Sequence, residues 1–147
     1  MSEENIRAAT PWWFWVISIF VLIYELMGIS NYLMMAFATP ESYAAQDYTA
    51  EQIAFMSDVP VLYTSVFALA VWSGLLGAIL LLLRKSWAAY VLAFSFLMVL
   101  ISFVFDITGG TFDVLGQAYL YIMLAVTLVS LLSVIFAFRM KRRAILK

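Results

Sequence analysis

Four stretches of this chain carry almost no charge over lengths that match the thickness of a bilayer. Val59 to Leu83 gives 25 residues without a charged side chain, Ser86 to Phe105 gives 20, and Val114 to Phe138 gives 25. Pro11 to Ala38 gives 28 with a single charge, Glu25. About 20 apolar residues in α-helix cross a ~30 Å hydrocarbon core, where every backbone polar group must be satisfied within the segment. The expected fold is therefore an all-α membrane protein, a four-transmembrane-helix bundle of up-down-up-down topology. It forms a single domain over residues 1–147, with spans at about 12–36, 60–83, 87–105 and 114–138.

Composition agrees: 66% of residues are hydrophobic and 12% charged, where soluble domains run near half and a quarter. There is no cysteine and no histidine, which removes thiolate chemistry, the commonest general base and the commonest metal ligand. No phosphate-cradling glycine loop, metal-ligand cluster or nucleophile beside a base is present. Neither catalysis, a metal nor a cofactor is expected. The first apolar run is too long for a cleavable leader and lacks a small-residue cleavage site, so it reads as a retained span.

Segment 39–58 is acidic, about 20 residues long and free of basic residues. Thr39-Pro40-Glu41 has the form of a helix start, and Thr49-Ala50-Glu51-Gln52 that of a capping box. Short interfacial helices on the outer surface are expected, with a solvated loop as the alternative. Asp106 to Asp113, containing Gly109-Gly110, reads as a second outer turn. All eight basic residues lie before the first span, in the Arg84-Lys85-Ser86 turn, or in the 139–147 tail. The positive-inside rule then puts both termini in the cytoplasm of a bacterial inner membrane. The tail is expected to favour anionic lipid headgroups at the inner leaflet, and nucleic acid is not expected as a partner.

Glu25 lies ~18 Å from Trp13 along the helix, slightly past the middle of the first span. A carboxyl at that depth is costly and marks a functional site by default. Able to hold a proton or a cation but not both, it is a minimal coupling device. The plainer reading is a glutamic acid bonded to a tyrosine or a backbone carbonyl, serving to join helices. Polar groups gather toward the outer ends of the spans, and Glu25, Asn31, Tyr32, Tyr63 and Tyr121 form the candidate proton or solute site. Ala70, Gly74 and Ala78, with Ser73 and Gly77 on the adjoining ridge, form a small-residue face that lets helix backbones approach. Its partner is either the third span or a second copy of the chain.

The runs Tyr24-Glu25-Leu26-Met27-Gly28, Asn31-Tyr32, Glu51-Gln52-Ile53-Ala54, Ala70 to Gly77 and Leu80 to Ala88 resemble a family of small four-span bacterial inner-membrane proteins. These are often called sugar transporters, without a defined mechanism. The likeness covers about residues 12 to 90. Where the family tends to carry asparagine and then aspartate before tyrosine, this chain has Glu25 and Asn31, so acid and amide are exchanged. The expected function is a non-catalytic polytopic membrane protein embedded in the lipid bilayer, homo-oligomeric or an accessory subunit of a larger membrane complex. The alternative is a proton- or cation-coupled transporter of a small solute that uses Glu25 in an outward-facing pocket.

Overall fold

The structure is a computed structural model that describes residues 9–147. It is built of helices α1 (Trp12–Ala36), α2 (Pro40–Ala44), α3 (Ala50–Ser57), α4 (Val61–Leu82), α5 (Ala88–Thr108), α6 (Thr111–Leu115) and α7 (Gln117–Arg142). The described residues contain no strand. Four of these helices, α1, α4, α5 and α7, are long and apolar enough to cross a membrane.

Local chemistry explains the boundaries. Proline precedes both α1 and α4, as Pro11 and Pro60, where its missing N–H has no helical acceptor to lose. Both short helices between them close a capping box. Thr39 Oγ1 accepts from the Ser42 N–H at 3.3 Å, and Thr49 Oγ1 from the Gln52 N–H at 3.3 Å. The α4–α5 turn passes through Arg84 at φ 57°. Gly110 (φ 73°) and Gly116 (φ 84°) bracket α6 in the left-handed region that glycine tolerates. Two boundaries differ from the apolar runs. α5 continues to Thr108 and so takes Asp106 into the helix, and α7 continues through Arg142, so most of the basic tail is helical.

α4 and α5 pack most closely, α1 lies on α4, and α7 lies on α5. α1 and α7 meet through long side chains instead. Phe136 takes Trp13 edge-on at 6.2 Å and stacks with Phe14 at 5.9 Å. At this basic end a core forms from Phe14, Leu81, Ala88, Ala89, Ala137 and Met140. The last residues fold back into it. Ala144 turns at φ 54°, Ile145 and Leu146 are each 4% exposed, and the Ser86 N–H donates to the Lys147 carbonyl at 2.7 Å. The outer surface carries Ile19, Phe20 and Ile23 on α1 and Leu124, Leu128 and Leu132 on α7. In water such a surface would aggregate; against lipid chains it is the ordinary exterior.

Candidate functional site

The buried stripe of α1 reads Phe14, Ser18, Val21, Glu25, Ile29, one residue per turn along one face. Glu25 is the charged member of that stripe, 6% exposed, and it leans on Gly74 of α4. A Cβ placed on Gly74 would stand 2.6 Å from the Glu25 carboxyl carbon and 2.9 Å from one of its oxygens. The carboxyl thus occupies the space that any larger residue at position 74 would need. It finds no hydrogen-bond partner among the described residues. The neighbouring Tyr24 makes the tie between helices: its hydroxyl donates to the Val126 carbonyl at 3.0 Å and lies 3.1 Å from Ser130 Oγ, both on α7.

A cavity of about 890 Å³ opens among α1, α4, α5 and α7 toward the acidic end. Glu25, Gly28 and Asn31 of α1, Tyr63 and Phe67 of α4, Asp106 of α5, and Tyr119 and Met123 of α7 line it. Tyr43, Tyr48 and Phe55 reach it from segment 39–58. Its charged lining residues are Glu25, Asp58 and Asp106, with no lysine or arginine. The Tyr43 hydroxyl is pushed up from its ordinary range by burial and by the nearby Tyr48.

Asp106 is the second carboxyl inside the protein, fully buried on the last turns of α5. The Tyr63 hydroxyl donates to its Oδ1 at 3.1 Å, while Oδ2 is buried with no partner. One turn earlier, Ser102 Oγ is also buried and unpartnered. The carboxyl stands near the negative end of the α5 dipole, which adds to the cost of any charge it bears. By sequence Asp106 opens an outer turn, because apolar runs end at the first charge. The signal that places it inside is periodicity: Ser95, Ser102 and Asp106 recur at helical spacing on the buried face of α5.

The other expected residues separate cleanly. Asn31 and Tyr63 line the cavity with Glu25. Tyr32 packs edge-on against Phe67 at 6.0 Å and is not among the lining residues. Tyr121 is 64% exposed and faces away, and Tyr119 stands in the wall instead. Two residues along a helix turn the side chain by about 200°, so two tyrosines at nearly the same depth face opposite ways.

On α4 the small residues serve two partners within the chain. Gly74 receives Glu25 of α1, whereas Gly77 receives Leu92 of α5, whose side chain would lie 2.7 Å and backbone nitrogen 3.2 Å from an added Cβ. Ala70 (2% exposed) and Ala78 (0%) are buried beside them, and the Ala70 carbonyl accepts from Ser95 Oγ at 2.7 Å. Ser73 bonds back to Leu69 of its own helix. Among the described residues no three His, Cys, Asp or Glu side chains gather as a metal site.

Fold and site together define a class: an all-helical protein with four membrane-length helices around an acid-lined cavity. Comparison with protein-family models, curated proteins and solved structures finds no match to the chain.

Proposed function

We propose that this chain is a non-enzymatic, multi-pass protein of a bacterial inner membrane that binds and moves a small neutral or cationic solute through the cavity among its four long helices. Glu25 is the group that exchanges a proton for the solute or for a coupling cation. The four long helices run up-down-up-down with both termini in the cytoplasm, so segment 39–58 and the cavity mouth face outside. The single-sided placement of the basic residues supports that orientation. A bundle of this size works as a homo-oligomer or beside another membrane subunit.

The observation that carries the reading is the unpartnered Glu25 carboxyl on the wall of an 890 Å³ cavity. A helix-joining glutamic acid would spend its hydrogen bonds across helices. Here Tyr24 makes the α1–α7 tie and leaves the acid free for a ligand. The absence of lysine and arginine from the wall disfavours an anionic solute.

The test is cation–proton exchange in proteoliposomes holding a pH-sensitive dye, with sodium, potassium and small alkylammonium gradients as probes. Wild-type protein should dissipate a pH gradient with at least one of them, and Glu25→Gln should slow that flux at least roughly tenfold. Equal flux for both proteins removes the coupling role. No flux from either returns the chain to the accessory-subunit reading.

A further inference from the structure

A second, smaller groove lies between α1 and α7 at the basic end, about 250 Å³ in volume. Its wall is apolar (Trp13, Leu132, Ile135 and Phe136), and its rim carries Arg139 and Arg143. Arg139 lies in the last turn of α7 and Arg143 caps the helix four residues later, on the same face, and both are exposed. Neither donates a side-chain hydrogen bond to another described residue. Two other cations at this end are engaged: Arg84 Nε donates to the Ile145 carbonyl at 3.0 Å, and the Lys141 ammonium sits 4.0 Å above the Tyr90 ring. The acidic residues of the described chain lie at mid-depth or at the opposite end, so the described residues offer these two guanidinium groups no acidic side chain as counter-charge.

We infer that this groove is a binding site for one anionic phospholipid, with its phosphate on Arg139 and Arg143 and an acyl chain along the apolar wall beside Trp13. Guanidinium groups present a fork of donors that matches phosphate oxygens, which a diffuse patch of lysines does not. The apolar wall selects a lipid over free phosphate, because inorganic phosphate would leave that surface without a complement. Trp13 sits where an indole is placed at the boundary of chain and headgroup. The inference requires only that the helices span a lipid bilayer; it does not depend on the solute reading.

The test uses the full chain in phosphatidylcholine nanodiscs doped with a few per cent brominated phosphatidylglycerol, read by tryptophan quenching. Brominated phosphatidylglycerol should quench in excess of brominated phosphatidylcholine, and Trp13→Phe should remove most of that excess. Arg139→Gln with Arg143→Gln should weaken the selective quenching roughly tenfold or more, because two charge-assisted hydrogen-bond donors are lost. Arg142→Gln removes the same charge outside the groove and should change it less than about twofold. Equal losses for Arg142→Gln and Arg143→Gln would show general attraction to a basic end and overturn the site. Displacement of the lipid by millimolar inorganic phosphate would overturn the lipid assignment. Excess quenching that survives both arginine substitutions would overturn it as well.

Discussion

Gly74→Ala tests the contact on which the Glu25 site rests. In a helix, replacing glycine by alanine gains about 1 kcal/mol of propensity. The new Cβ would lie 2.6 Å from the Glu25 carboxyl carbon, so the side chain must swing aside. The obstructing atoms are the end of a flexible chain, and an off-rotamer shift costs about 0.5–1.5 kcal/mol. The two effects nearly cancel, so Gly74→Ala alone should change stability by less than about 1 kcal/mol. In a Glu25→Ala background nothing obstructs the methyl group, and the same substitution should stabilise by about 1 kcal/mol. The coupling between the sites is then about 1 kcal/mol, above the ~0.5 kcal/mol scatter of independent positions. Gly77→Ala is the control. Leu92 presents its backbone nitrogen at 3.2 Å as well as its side chain, so overpacking should cost about 1–3 kcal/mol in either background. Reversible unfolding in mixed micelles, followed by tryptophan fluorescence, reads all of these. If Gly74→Ala has the same effect with and without Glu25, the carboxyl does not occupy that space and the site geometry is refuted.

Other consequences follow from single contacts. Tyr63→Phe takes away the one donor to Asp106 Oδ1 and should cost about 1 kcal/mol in the same unfolding assay, the usual size of a hydrogen bond between membrane helices; no change would mean the bond is absent. Leu146→Ala should destabilise by about 2 kcal/mol or more, because the folded-back terminus is part of the core at the basic end; a neutral result would show the terminus undocked. The Glu41 carboxyl accepts from its own backbone N–H and from the Thr39 hydroxyl, which holds it below the usual carboxylate range. A depressed native value means that this contribution to α2 is complete above about pH 4.5 and is lost as pH falls through the native value. Hydrogen-exchange protection at Tyr43 to Ala45 should therefore fall in acid for wild type, and Glu41→Gln should flatten that dependence.

The four long helices were legible because lipid imposes a simple rule: a spanning segment must be long, helical and nearly free of charge. Thr49 with Gln52 announced its helix for an equally local reason, since both capping partners lie within four residues. Glu25 was legible as an anomaly, a charge inside an apolar run. Which residues share its cavity was harder, because that depends on helix rotation, and these helices are apolar all round. Nothing in such a sequence tells Tyr119 from Tyr121 until the face of α7 is known. Asp106 reads as the start of an outer turn for a related reason: a charge near the end of an apolar run looks like the water boundary. The return of Ile145 and Leu146 into the core had no sequence signal beyond two apolar residues after a basic stretch.

The chain has no cysteine, so thiol accessibility can be read one position at a time. Single variants Glu25→Cys, Asn31→Cys and Ile23→Cys, in intact cells treated from outside with a charged, membrane-impermeant thiol reagent, test the central claim most directly. Glu25 and Asn31 line the cavity, whereas Ile23 is 54% exposed on the exterior face of α1. The account predicts modification at positions 25 and 31 and none at 23. Position 25 as unreactive as position 23 would show that water does not reach the carboxyl, and the exchange role would fall with it.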